Sequence, residues 1–260
     1  MKNNDKIIFI DLDGTLLNDQ ENISSLDFEL INKVAKKSNW EVVFTTGRPH
    51  EFAKEKTKKF KFQKTIISFN GALIKRDEEI IFSSFLKYKL IQKMFDNDMM
   101  NKIDYAFHNE EGLFVNDLKS QFKKLDVKNI EIWTGNIKEY FSMYFDITNI
   151  DKKILKELEL FFINNHINKW ELFNKEFLVV YNHKINKGEA INFLKSKKIF
   201  SHTYCIGDGR NDIEAFQNVD TSFAMANSVI EVKKRATHIT PADNNNSGVS
   251  SMLELIFNKV

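Results

Sequence analysis

The stretch Lys6-Ile7-Ile8-Phe9-Ile10-Asp11-Leu12-Asp13-Gly14-Thr15 decides the fold. Its apolar run, Ile7 to Ile10, carries no polar alternation, the pattern of a short strand buried on both faces of a parallel sheet. The run stops at Asp11, and in open sheets of this kind ligands bind beyond the carboxyl ends of the strands. Residues two apart point the same way along extended chain, so Asp11 and Asp13 are expected together, with Gly14 letting the backbone turn. Two crowded carboxylates repel, which raises one pKa, and a bound divalent cation removes the conflict.

Outward from this strand the chain alternates. Residues 24–38 read as a helix with Ser24 or Ser25 as N-cap, and residues 41–45 as a strand ending on Thr46-Gly47. A helix over 50–59 follows, then a strand over 64–69 that stops at Asn70-Gly71. This order predicts an α/β fold with a doubly wound, Rossmann-like parallel sheet. The texture changes over 83–184. There a helix near 87–100, strands near 103–107, 112–116 and 141–148, a helix near 151–165 and strands near 169–173 and 177–181 predict an inserted α+β domain with an antiparallel sheet. The α/β rhythm returns with helices near 188–197, 211–217, 228–235 and 248–258, and strands near 202–206, 221–225 and 237–240. The expected core is therefore discontinuous, 1–82 with 185–260.

Three further motifs fall at matching places. Ile206-Gly207-Asp208-Gly209-Arg210-Asn211-Asp212 follows an apolar strand and puts Asp208 where a third carboxylate joins the first two. Mg²⁺ suits such a site, since it takes few carboxylates together with waters and substrate phosphate. Thr46-Gly47 offers a hydroxyl and backbone N–H groups to phosphate oxygens near a helix N-terminus, with Arg48 at the same rim. Lys187 opens a helix, where a cation opposes the macrodipole, a placement that makes sense if it faces carboxylates and a phosphate. Other patterns fail. Gly207 to Asp212 ends in Asp where a dinucleotide fingerprint needs Gly, and Thr15 and Leu16 spoil a calcium loop starting at Asp11.

With 38 basic and 36 acidic residues, no global field favours nucleic acid or an acidic membrane surface. The basic residues Lys54, Lys56, Lys58, Lys59 and Lys61 read as a solvated helix face, as do Lys233, Lys234 and Arg235. A single cysteine, Cys205, permits no internal disulfide, and no apolar run is long enough for a signal peptide or a membrane span. A cytoplasmic protein is the expectation.

Together, Asp11 to Thr15, Thr46-Gly47-Arg48, Lys187-Gly188 and Gly207 to Asp212 resemble, in order, the four motifs of the haloacid dehalogenase-like superfamily, and specifically its Cof-type phosphatases. Asn70-Gly71-Ala72, Ala224 to Asn227 and Ser247-Gly248-Val249 are similar to further segments of that subgroup. The resemblance implies a Rossmann-like core with a C2-type cap inserted at 83–184, which would close over the site and choose among small phosphorylated metabolites such as sugar phosphates or phosphorylated cofactors. It implies Asp11 as nucleophile and Asp13 as general acid and base. Mg²⁺ would sit on Asp11, Asp208 and the backbone carbonyl of Asp13, supported by Asp212. Leu12, Thr46, Gly47, Arg48, Lys187 and Asn211 would bind phosphate or substrate. One departure is visible: the segment before Ser247 is often acidic in this family and is Asn244-Asn245-Asn246 here. Rival readings are a phosphomutase with the same parts, a phosphometabolite sensor, which would have no need of Asp13, and a receiver-type signalling domain, typically much shorter and without an inserted cap.

Overall fold

The apolar run after Asp5 forms β1 (Lys6–Asp11), central in an eight-stranded sheet. The computed structural model describes residues 5–257 apart from 97, 126, 137, 166, 168–169 and 174–175. The chain divides into two units, Met1–Ser83 with Asn186–Val260, and Ser84–Ile185.

In the first unit β1 leads to α1 (Ser25–Ala35), β2 (Trp40–Thr45), α2 (His50–Thr57), β3 (Thr65–Ser68), β4 (Leu73–Arg76) and β5 (Glu79–Ser83). The second unit holds α3 (Tyr88–Phe95), β6 (Tyr105–His108), β7 (Leu113–Val115), β8 (Ile130–Ile132), β9 (Ser142–Asp146), α4 (Lys152–Asn164), β10 (Trp170–Phe173) and β11 (Phe177–Tyr181). The chain then returns to the first unit with α5 (Lys187–Lys197), β12 (His202–Gly207), α6 (Ile213–Phe216), β13 (Thr221–Ala224), α7 (Ile230–Lys233), β14 (His238–Ile239) and α8 (Gly248–Phe257).

The order of the first sheet is β14-β13-β12-β1-β2-β3-β4-β5. It is parallel from β14 to β3. The alternation of β1 explains why it is doubly wound. Ile8 and Ile10 face one core with Ile31 and Val34 of α1, Ala53 of α2 and Met252 and Leu253 of α8. Ile7 and Phe9 face the other core, with Ile191 and Leu194 of α5, Phe216 of α6 and Val232 of α7. Both faces are covered, so a strand with no polar alternation is what the fold requires.

The far edge departs from the expectation of a purely parallel sheet. β4 runs antiparallel to β3, and β5 antiparallel to β4. The intervening Asp77 takes φ 51, a left-handed turn that sends β5 back along β4. β5 has intermediate or exposed residues throughout, although it carries the apolar run Ile80-Ile81-Phe82. The second unit has a six-stranded sheet, β10-β11-β9-β6-β7-β8, antiparallel except for the parallel β7–β8 pair. β8 also escaped the sequence reading, being three residues long and half-buried or exposed. Tyr105, Phe107, Met143, Phe145, Leu178 and Val180 pack with Ile91 and Met94 of α3 and Leu158 and Phe162 of α4 in a separate core.

Expected helices also shorten. The one near 87–100 ends at Phe95 and is followed by a 3₁₀ turn over Asp98–Lys102. The one near 211–217 is a 3₁₀ turn at Arg210–Asp212 before the short α6. Residues 169 and 258, at the expected limits of a strand and of the last helix, lie outside the described residues. No described helix is long and apolar enough to cross a membrane.

Candidate active site

Parallel pairing brings the motifs to one edge. Asp11 ends β1 opposite Thr45 of β2, and Ile10 lies opposite Ile206 of β12. The turns after these strands, at 12–15, 46–48 and 208–212, therefore meet at the carboxyl ends. Lys187 opens α5, whose N-cap Asn186 accepts the Glu189 N–H at 2.9 Å through its side chain.

Lys187 is fully buried, and its Nζ donates at 2.6 Å to Asp11 Oδ1 and at 2.6 Å to Asp212 Oδ1. Asp212 Oδ2 accepts the backbone N–H groups of Asp208 (3.1 Å) and Gly209 (2.9 Å), which tightens the turn and explains why a 3₁₀ segment replaces a full helix there. Thr15 Oγ1 donates to Asp208 Oδ1 at 3.1 Å. One oxygen from each of Asp11, Asp208 and Asp212 lies within 4.8 Å of the others. Gly14, at φ 70, runs so close to Asp208 that a side chain would strike the carboxylate, so both its conformation and its space need glycine.

Burial pushes the Asp11 carboxyl well above the usual range; Asp212 and Asp208 add to this, and Lys187 offsets part of it. Asp208 is pushed up to about 7, by burial first and then by Asp212. Burial works against the Lys187 ammonium, but Asp11 and Asp212 outweigh it and raise its pKa above the ordinary lysine value. Three carboxylates face one ammonium, and the donor set is all oxygen. This is the chemistry that a hard divalent cation such as Mg²⁺ fits.

Asp13 is placed differently. β1 ends at Asp11, so the two-apart rule for extended chain does not reach Asp13, whose carboxylate is outside the group of three. Its Oδ1 accepts from Arg48 Nε (3.0 Å) and Nη2 (2.8 Å), and its Oδ2 lies 3.4 Å from Thr46 Oγ1. Thr46 Oγ1 also accepts the Arg48 N–H at 3.0 Å. The Leu12 side chain is fully buried among the core residues of the first unit, and its N–H donates to Thr45 O at 3.2 Å.

Asn70 was not among the expected site residues. Its Oδ1 accepts from Asn211 Nδ2 at 2.9 Å, and a side chain at Gly47 would come within 3.1 Å of the same oxygen. Phe69 (φ 50), Asn70 (φ 54) and Gly71 (φ 103) are three consecutive left-handed residues, a concentration of backbone strain of the kind that marks functional loops. The Asn-Gly pair after β3 is the sequence signal that points there; it reads as a strand stop and, within Asn70-Gly71-Ala72, as a segment similar to the subgroup's, neither of which gives Asn70 a role.

The model of one family, described as haloacid dehalogenase-like hydrolase, matches residues 8–253. A 5-amino-6-(5-phospho-D-ribitylamino)uracil phosphatase of Bacillus subtilis is 29% identical over 250 residues, covering 90% of this chain and 89% of its own. A phosphoglycolate phosphatase of Sulfurisphaera tokodaii is 27% identical over 256 residues, covering 97% and 94%. A solved haloacid dehalogenase-like hydrolase from Bacteroides thetaiotaomicron superposes with a TM-score of 0.80 at 21% identity, over 98% of this chain and 100% of its own, a likeness of fold.

Proposed function

The chain belongs to the haloacid dehalogenase-like hydrolases, in their Cof-type phosphatase branch, and from that premise we propose that it cleaves small phosphate monoesters through a phosphorylated Asp11. Asp11 attacks phosphorus as the ester P–O bond breaks, and Asp13 gives its proton to the departing oxygen. Water then attacks the aspartyl-phosphate, returns a proton to Asp13, and frees inorganic phosphate and Asp11. Splitting the reaction in two replaces one hard displacement with two easier ones. The single observation that carries this reading is the buried Lys187 clamp, which holds Asp11 by Oδ1 at 2.6 Å beside the carboxylates of Asp208 and Asp212.

Asp11, Asp208 and the backbone carbonyl of Asp13 would hold Mg²⁺, with Asp212 supporting; bound there, the ion neutralises charge on the phosphoryl group. Lys187, Thr46, the Gly47 amide and Arg48 receive the phosphate oxygens, and Asn211, fixed by Asn70, shapes the same rim. Leu12 contributes to substrate binding through its place in the turn after Asp11. Residues 84–185 serve as the inserted cap. Sugar phosphates and phosphorylated cofactors are the substrate classes; of the two relatives, one is named for a phosphorylated ribityl compound and the other for phosphoglycolate, both small phosphate monoesters.

The test is turnover of p-nitrophenyl phosphate by wild type with Mg²⁺, by wild type with EDTA, and by Asp11→Asn. Nitrophenol release that needs the metal and disappears in Asp11→Asn supports the proposal. No turnover by folded, Mg²⁺-supplied wild type overturns it.

A further inference from the structure

We infer that Glu21 is a positioning residue that acts through Arg48 to orient the carboxylate of Asp13 toward the leaving group. This rests on the reading of Asp13 as general acid.

Arg48 uses its fork asymmetrically. Nε (3.0 Å) and Nη2 (2.8 Å) both reach Asp13 Oδ1, and Nη2 also reaches Glu21 Oε1 at 3.2 Å. Two donors converge on Oδ1 and the Thr46 hydroxyl donates to Oδ2 at 3.4 Å, so the carboxylate is gripped at both oxygens. The plane of the fork therefore sets the orientation in which Asp13 meets the leaving group. That plane is held from two sides: the guanidinium carbon sits 4.3 Å from the centre of the Phe52 ring, and Glu21 takes the outer edge.

Glu21 is itself built in. It sits at φ 56 in a turn closed by its N–H on Asn18 O at 2.8 Å. Lys56 of α2 donates to both Glu21 Oε2 (2.7 Å) and Glu21 O (3.2 Å), tying the turn to the helix that also carries Phe52. Glu21 balances part of the Arg48 charge. Without it the guanidinium loses the anchor on its outer edge, and the carboxylate it orients loses that constraint.

The prediction concerns proton delivery and not binding. Nitrophenolate leaves without a proton, whereas an alkoxide cannot. Because kcat/KM reports the first irreversible step, it isolates cleavage of the ester from the later hydrolysis of the aspartyl-phosphate. Glu21→Gln keeps the size of the side chain and removes its charge. We expect kcat/KM for an alkyl phosphate such as glycerol phosphate to fall about tenfold, a fraction of the full general-acid effect, with p-nitrophenyl phosphate changed less than about twofold. Lys56→Met, which releases Glu21 from the helix, should show the same selectivity with a smaller size.

Asp13→Asn is the internal reference. If Asp13→Asn discriminates sharply between the two leaving groups and Glu21→Gln does not, the inference about Glu21 fails and the role of Asp13 stands. If Asp13→Asn shows no leaving-group dependence, the reading of Asp13 fails first. An equal loss on both substrates in Glu21→Gln marks a merely structural role and overturns the inference.

Discussion

Lys187 is the residue on which the site's charge balance turns. Its side chain is fully buried between Asp11 and Asp212, and two carboxylates left in the same place would each lose their nearest cation. Breaking a buried pair by removing one partner typically costs about 3–5 kcal/mol, because the remaining charge is stranded in low dielectric. Lys187→Met should therefore be destabilised by about that much in urea titrations of the metal-free protein. The same variant should lose turnover even under conditions where it is fully folded. Saturating Mg²⁺ should recover part of the stability and none of the activity, since a cation can balance the carboxylates but cannot replace a donor to phosphate. A stable, active Lys187→Met would refute both statements. Lys187 stands out in the sequence through its odd position at a helix start and through the resemblance of Lys187-Gly188 to a superfamily motif; its two partners lie 176 and 25 residues away and carry no local signature.

Helix α1 shows how an element's start was legible and its anchor was not. Ser24 was a visible N-cap, and its Oγ accepts the Asp27 N–H at 3.0 Å and donates to Asp27 Oδ2 at 2.8 Å. Asp27 Oδ1 goes further, accepting both the N–H and the hydroxyl of Ser250 at 2.7 Å, which pins α8 to α1. Ser24→Ala should cost about 1 kcal/mol, the usual loss of a cap. Asp27→Ala should cost more, about 2–3 kcal/mol, because it leaves buried donors of Ser250 without a partner. Equal losses in thermal melts of the two variants would deny Asp27 its tie to α8. The Asn244-Asn245-Asn246 turn follows the same logic. Asn244 and Asn245 donate their side-chain N–H groups to Asp19 at 3.2 and 3.0 Å, holding the turn after β1 in place. A carboxylate at 245 would lose that donor and face a like charge, so Asn245→Asp should be destabilised by about 0.5–1 kcal/mol, less at high salt. Strands buried on both faces and turns that follow them were legible because composition alone marks them. The β4–β5 hairpin, Asn70 and Glu21 were not, because each is defined by a turn conformation or by a partner distant in sequence.

At the scale of the whole molecule, the cores of the two units share no residue among those described. The first unit packs Ile8, Ile10 and Phe44 on one face of its sheet and Ile7, Phe9 and Ile67 on the other, while the second packs Phe107, Phe145 and Phe162 on its own. Asp11, Asp208, Asp212 and Lys187 all belong to the first unit. Two unfolding transitions are therefore expected in calorimetry, and only one of them should respond to the charge state of the site. The sign follows from Asp208, whose carboxyl is pushed up to about 7 from an ordinary 3.8. The folded chain then holds this proton more tightly than the unfolded chain does, so metal-free stability falls as pH rises through that interval and levels off above about 7. Asp11, raised by burial as well, acts in the same direction. A divalent cation binds the ionised carboxylates and competes with these protons, so its benefit must grow as the protons leave. The expected result is a transition for the first unit whose Tm drops between pH 5 and pH 8 without metal, and whose gain from saturating Mg²⁺ is larger at pH 8 than at pH 5. The transition of the second unit should be indifferent to Mg²⁺ at both values. A gain from Mg²⁺ that is the same at both pH values, or that moves both transitions together, would mean that the ion does not act by replacing protons on these carboxylates.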